Sequence, residues 1–414
     1  MEATADRSSF RSYLFFWSGQ LISILGSSIV HFCLTWWFTV TTESAVALSI
    51  RNISFLVPFV LSSLIGGVVA DKFDRKKIIL LFDSLQAFST FILYLLFIYN
   101  IMEYWMLYFF GAFSAVCQAF HMPAQSAIIP TMVPKDKLSR INSINFLLTG
   151  FIHIVGPVIG GTVMIFLTIE QALWIDIFSY MFALIPLFLI KIPSVIKEEE
   201  IHKPRSFINE LKLGFKSLTA VPGLLILIIE AMLCNLFMQP IGTLLPYYVK
   251  VLHNGTVVNF AMISTSFNIG MLIGGIITSV KKKWKHKIPI ITLAIFTHGV
   301  VYALFSFVPY QFFYLMMLYS AIRGFTMPFI NALYFTILQT CVSHDKLGRI
   351  VSIDNALSFV SMPIGSMLAG PLAEIYGVGP LFFVSASLYI TTTVTIYVFT
   401  NIRQLDSIKD VSES

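Results

Sequence analysis

The sequence predicts an all-α membrane protein with twelve transmembrane helices in two six-helix pseudo-repeats and both termini cytoplasmic. Three observations predict it. The chain is 57% hydrophobic and only 12% charged, with a mean hydropathy of +0.83, whereas a soluble domain carries about 25% charged residues. Its apolar residues fall into runs of about 20 or more, the length that crosses the hydrocarbon. Its phrases also recur: "DKLSRINSIN" from Asp136 returns as "DKLGRIVSID" from Asp345, 209 positions later in a chain of 414.

The first run, 13–40, exceeds the 7–15 residues of a signal-peptide core and has no small-residue cleavage site behind it, so it reads as a retained span. Runs at 46–70, 78–99, 104–130, 141–167 and 171–191 complete a first bundle, residues 1–191. Six more, at 222–249, 257–280, 288–308, 311–338, 350–376 and 379–401, make a second, residues 222–414. They are apolar on all sides, as spanning helices are, and lack the short alternating pattern of barrel strands. Between the bundles lies a cytoplasmic linker, 192–221. In it Phe207, Ile208, Leu211, Phe215 and Leu218 recur at helical spacing, with Glu210, Lys212 and Lys216 on other faces. This predicts a short amphipathic interfacial helix ended by Pro222 and Gly223.

Basic residues set the direction. Of the 27 Lys and Arg, nearly all lie in the tails or in the loops after spans 2, 4, 6, 8 and 10. Lys250 is the only one in a loop on the other side. Basic loops stay cytoplasmic. The formal charge of +6 is therefore a topology signal. The residues form no single basic patch, which removes a nucleic-acid partner. Cys33, Cys117, Cys234 and Cys341 sit in apolar runs without metal or disulfide spacing. No HExxH, GxxxxGK[ST] or GxSxG occurs, against a lipid-modifying membrane enzyme.

The repeat extends well beyond its opening phrase. "GGVVADKFDRKK" ends span 2 and "GGIITSVKKKWKHK" ends span 8, with the glycine pairs 208 apart. "GPVIGG" at Gly156 is matched by "GSMLAG" at Gly365, and "FHMP" at Phe120 by "FTMP" at Phe325. Transporters built from parallel repeats bind substrate near the midplane and rock one half against the other.

With these loops and spans the chain, from about 12 to 402, resembles the major facilitator superfamily. "GGVVADKFDRKK" is similar to that superfamily's loop motif, with Asp71, Arg75 and Lys76 at its acidic and basic positions. "GPVIGG" resembles its antiporter motif at Gly156, Pro157, Gly160 and Gly161. "MPAQSAIIPTMVPKDKLSR" and "GRIVSIDNALSFVSMPIG" resemble the macrolide-efflux-type branch of proton-coupled drug exporters. Three departures stand out: Asp74 replaces the loop motif's usual glycine, Gln118 replaces a basic residue common in span 4, and Ser279 stands opposite Asp71.

The resemblance implies export of amphipathic drug- or macrolide-like compounds across the inner membrane by alternating access. It also implies a monomer with no metal or other cofactor and a proton gradient as energy source. A metabolite or siderophore exporter or facilitator of the same fold is the competing reading. Asp71, Arg75 and Lys76 are expected to form a cytoplasmic latch tied to acids and headgroups, a positive-inside anchor being the plainer reading. The small residues around Pro157 are expected to admit a neighbouring helix closely. His153, in the same stretch, is expected to be a packing histidine.

Charges inside the bilayer cost several kcal/mol unless paired or wet. Arg51, Asp83, Asp176, Glu230, Arg323 and Asp354 are the clear cases. Glu230 lies about 10 Å in from the cytoplasmic edge and Arg323 roughly 18 Å in from the outer edge at 1.5 Å per residue. In a core about 30 Å thick these depths agree, and Glu230 and Arg323 are expected within salt-bridge or water-bridged reach, as a coupling switch or as a static structural pair. Asp83 is the next proton candidate. Asp83 and Asp354 are expected to brace loops through Arg75 or Arg349, while Arg51 and Asp176 sit near the outer edge, Arg51 in reach of headgroups. Gln20, Trp37, Gln118, Phe237, Gln239 and Asp354 are the candidates for lining a substrate cavity.

Overall fold

The computed structural model describes residues 7–190, 192, 218–219, 221–281 and 284–407. The linker's amphipathic helix lies outside these apart from its last apolar position, Leu218, which is fully buried.

The first bundle's segments fold as α1 (Arg7–Thr42), α2 (Ala45–Lys72), α3 (Arg75–Ile98), α4 (Met106–Met132), α5 (Leu138–Phe166) and α6 (Ile169–Leu189). The second's fold as α7 (Leu224–Tyr247), α8 (Val257–Val280), α9 (Lys287–Phe305), α10 (Phe313–Cys341), α11 (His344–Tyr376) and α12 (Val378–Phe399). Among the described residues eleven helices are long and apolar enough to cross a membrane. The exception is α4, expected as the fourth span. It is 27 residues long, but Ser114, Gln118, His121, Gln125 and Ser126 dilute its apolar character. Large apolar side chains stand open on the helix surfaces, Leu64 at 64% exposure, Phe146 at 70% and Phe166 at 78%. Water would penalise such a surface and lipid does not, so this is a multi-pass membrane protein.

Contacts divide the chain into two compact units. One comprises residues 1–43, 50–200 and 255–265, the other 44–49, 201–254 and 266–414. Each has the same internal plan. In the first, α1 packs on α5 and α6, and α3 on α4 and α6. In the second, α7 packs on α11 and α12, and α9 on α10 and α12. The doubled sequence thus yields the same neighbours twice.

Small residues permit these approaches. A Cβ at Gly160 on α5 would stand 2.8 Å from the Phe32 ring of α1, and one at Gly365 on α11 would stand 2.6 Å from the Leu236 carbonyl of α7. Gly156 meets Ser28 in the same way, and Gly161 is buried beside it. Pro157 interrupts the ladder of α5 without ending the helix.

The departure at Asp74 has a local cause. Its carboxylate caps α3, accepting the Lys76 and Lys77 amides at 2.8 and 3.3 Å. In the second unit the equivalent helix, α9, takes its cap from elsewhere. Asp406, in the 3-10 segment Asn401–Ser407, accepts the Lys287 and Ile288 amides at 2.9 and 3.1 Å.

Candidate functional site

Each unit carries polar side chains inside its bundle, and they account for the intramembrane charges. In the first unit Asp83 on α3 is 4% exposed. Its Oδ1 lies 3.1 Å from His121 Nε2 on α4, outside hydrogen-bond alignment. Gln20 Nε2 on α1 donates to its Oδ2 at 3.1 Å. The expected partner, Arg75, points elsewhere, donating to the Ala127 carbonyl at 2.7 Å. Arg75 stands at the start of α3 and Asp83 more than two turns on, so the helix itself keeps them apart.

Two turns along α3 from Asp83, a second buried carboxylate is held by hydroxyls. Thr90 Oγ1 and Ser27 Oγ each donate to Asp176 on α6 at 2.8 Å, and Tyr180 Oη lies 3.2 Å from Ser27 Oγ. Nearby on α4, Ser114 donates to Gln86 at 3.0 Å. A polar seam therefore runs along the interior of this bundle. Arg51 turns inward to Thr35 at 3.0 Å and lies 5.7 Å from the Phe38 ring centroid.

In the second unit Glu230 and Arg323 have different direct partners. Glu230 on α7 is 3% exposed and stands near Thr393 on α12, whose hydroxyl donates to the Tyr389 carbonyl at 3.1 Å. Arg323 on α10 donates its Nε–H to His298 Nε2 on α9 at 3.2 Å. Because that nitrogen accepts, the imidazole proton sits on Nδ1, which donates to Thr326 Oγ1 at 2.9 Å. Thr326 in turn donates to the Arg323 carbonyl at 2.8 Å. Three rings surround the guanidinium, Tyr302 at 5.4 Å and Phe267 and Phe305 at 5.8 Å, a cation–π cage. Equal depth does not set direction around a helix axis: α7 faces α11 and α12, whereas α10 faces α9.

The two seams share a register. Gln20 of α1 and Glu230 of α7 are 210 apart, and Tyr180 of α6 and Tyr389 of α12 are 209 apart. His298 lies tilted against Tyr389, with centroids 5.8 Å apart. His121, His298, Tyr389 and Tyr334 escaped sequence reasoning. A histidine or tyrosine carries no formal charge to flag it, although "FHMP" had placed His121 in a repeated phrase.

Asp354 on α11 is also buried. Tyr334 Oη on α10 donates to its Oδ1 at 2.5 Å, replacing the expected arginine partner. Both line a cavity of about 170 Å³ within the second unit.

The remaining candidates are dispersed. Gln118 is exposed on α4. Trp37 packs edge-on against Phe97 at 4.8 Å, and Phe237 packs on the second unit's apolar core. Gln239 accepts from Ser366 at 3.1 Å. At the loop after α2, Asp71 is exposed. Lys76 donates to the Ile190 carbonyl at the end of α6 at 2.5 Å. Arg75 and Lys76 therefore meet backbone carbonyls near the ends of α4 and α6, where cations are favoured, rather than the acids expected. His153 is exposed on α5.

Comparison with known proteins places these features in a family. A sequence family described as transmembrane secretion effector matches residues 6–414. Macrolide efflux protein A of Streptococcus pyogenes is 27% identical over 390 residues, 94% of this chain and 96% of that protein. The multidrug efflux pump Tap of Mycolicibacterium fortuitum is 25% identical over 397 residues, covering 92% and 94% of the two chains. Among solved structures, the nucleoside transporter NupG aligns with a TM-score of 0.71 at 15% identity, over 92% of this chain and 98% of that one. A D-xylose-proton symporter aligns at 0.69 and 11% identity, over 95% and 99%. At such identities these structures establish the shared fold.

Proposed function

The chain belongs to the transmembrane secretion effector family of the major facilitator superfamily, and on that premise we propose that it exports amphipathic organic compounds by alternating access coupled to inward proton flow. The observation that carries the reading is the match, over more than nine-tenths of both chains, to relatives named for macrolide and multidrug efflux. The buried acids support the coupling part. Asp83 and Glu230 sit inside separate bundles, each buried beside polar groups: His121 and Gln20 for one, Thr393 for the other.

Within this reading α4 is the twelfth span. Its polar residues are tolerated because His121 turns into the bundle towards Asp83 instead of into lipid. The basic loops keep both termini in the cytoplasm of an inner or plasma membrane. Asp71, Arg75 and Lys76 form the latch on that side, Arg75 and Lys76 fixing the loop so that Asp71 can engage and release. The antiporter-motif glycines keep α5 tight against α1. The protein works as a monomer without a cofactor.

The test is extrusion of a compound panel from cells lacking their own pumps, with and without an uncoupler. The expected result is extrusion of at least one amphipathic compound that collapses when the proton gradient does. Extrusion indifferent to the uncoupler removes proton antiport, and no extrusion of any compound removes drug export. Glu230→Gln should further uncouple extrusion from the gradient. If it does not, the coupling role passes to Asp83.

A further inference from the structure

The second unit buries a cation for which the export reading supplies no counter-ion. Arg323 on α10 is 6% exposed. A guanidinium carries five N–H donors and accepts nothing. The donor on Nε goes to His298 Nε2 at 3.2 Å, and the neutral imidazole adds no charge. Among the described residues the two terminal nitrogens meet neither a carboxylate nor any other hydrogen-bond acceptor. The rings of Phe267, Tyr302 and Phe305 attract the charge but do not replace an anion. A buried charge left unpaired is costly. Beside it stands a second unmet group. Tyr302 on α9 is fully buried, and its ring centroid lies 5.4 Å from Arg323 Cζ. Its Oη has no hydrogen-bond partner, although Ser385 of α12 is near. One turn further along the chain, Ser306 Oγ is buried and unpartnered as well. Folded interiors seldom leave such hydroxyls unmet. A water would satisfy the hydroxyl of Tyr302 but not the charge of Arg323.

We propose that Arg323 and Tyr302 form a binding site for one small monovalent anion of the size of chloride. The terminal nitrogens of Arg323 and the hydroxyl of Tyr302 donate to it, and its charge balances the guanidinium. Neither residue lines the unit's cavity of about 170 Å³, so the site admits an ion and not an organic guest. The bound ion ties α9 to α10 and stabilises the folded second unit by mass action. The proposal goes beyond the export reading and does not depend on it.

The experiment uses the full chain purified in detergent with sodium gluconate, whose anion is too large for the site. Replacing gluconate by chloride at equal ionic strength should raise the melting temperature saturably, by about 2–4 °C. Tyr302→Phe should raise the half-saturating chloride concentration at least about tenfold. In gluconate the same variant should melt no lower than wild type, because it loses a buried hydroxyl that had no partner. Arg323→Gln should abolish the chloride response, and should it fail to fold, Tyr302→Phe decides alone. Equal melting temperatures in the two salts overturn the site, as does a chloride response that Tyr302→Phe leaves intact. A Tyr302→Phe protein less stable than wild type in gluconate overturns it too, since the hydroxyl would then be bonded already. So does acetate raising the melting temperature where chloride does not, which would give the site to a carboxylate. Extrusion is not read in any of these measurements, so failure of the anion site leaves the export reading standing, and failure of export leaves the site standing.

Discussion

Asp83 and His121 meet carboxylate to imidazole at 3.1 Å, and the worth of this contact is measurable. With Asp83 buried and His121 17% exposed, their coupling should fall between that of surface and fully buried pairs, on the order of 1 to 2 kcal/mol. A double-mutant cycle of Asp83→Asn and His121→Gln, read by unfolding in detergent, measures it. Single effects that add within about 0.5 kcal/mol would show the contact to be idle. His253, just past the π-helical turn Tyr248–Leu252 that follows α7, offers a pH test. Its Nδ1 accepts the Gln311 amide at 3.2 Å and its ring lies 4.6 Å from that of Tyr248. Burial lowers its pKa from 6.5, so the unfolded chain binds the proton first. Stability from this group is therefore complete above about pH 6.5 and declines as pH falls below it. His253→Phe, which keeps an aromatic ring beside Tyr248, should flatten the dependence of melting temperature on pH between about 7.5 and 5.5. An identical slope in the variant would rule His253 out. At this scale the sequence shows that a charge is present but not what it meets. Glu230, Arg323, Asp83 and Asp354 were legible as buried charges, whereas their partners come from helices whose neighbours only packing reveals.

Helices and their ends were more legible, since each requires only local chemistry. Runs of apolar residues gave the helices to within a few positions, and the glycine pairs marked close approaches. On α8 a Cβ at Gly270 would stand 2.8 Å from the Ala321 carbonyl carbon of α10, and one at Gly324 of α10 would stand 2.7 Å from that of Phe267. Backbone cannot yield as a side chain can, so Gly270→Val should cost about 1–3 kcal/mol. A melting temperature equal to wild type would mean the helices separate freely there. The caps illustrate a limit of reading locally. Asp74 looked like the loss of a motif glycine and proves to be the cap of α3, while the cap of α9 comes from Asp406, 119 residues away. Asp406→Ala should destabilise the second unit by about 1 kcal/mol, detectable as earlier proteolysis within α9. Unchanged protection would show that the tail carries no load.

For the whole molecule the doubled phrases were the strongest signal, because duplication leaves a fixed offset that survives divergence. Each unit repeats the other's neighbours, α1 with α5 and α6 matching α7 with α11 and α12. What diverged is the set of charged and titratable groups: the first bundle holds Asp83, Asp176 and His121 with Arg51 turned inward, the second Glu230, Asp354, Arg323 and His298. Orientation is the remaining property argued from the whole chain, since it depends on the sum of basic loops and not on any one. The fold makes it easy to test, because Cys33, Cys117, Cys234 and Cys341 are all buried and give little background to a thiol reagent. Two exposed positions lie on opposite sides in the proposed topology: Glu103, between α3 and α4, and Asp136, between α4 and α5. In intact cells a membrane-impermeant maleimide should label Glu103→Cys within minutes and reach Asp136→Cys only after permeabilisation. The reverse pattern would invert the topology and turn the latch residues to the outside. Labelling of both from one side would mean that α4 does not cross, leaving eleven spans and placing the termini on opposite faces.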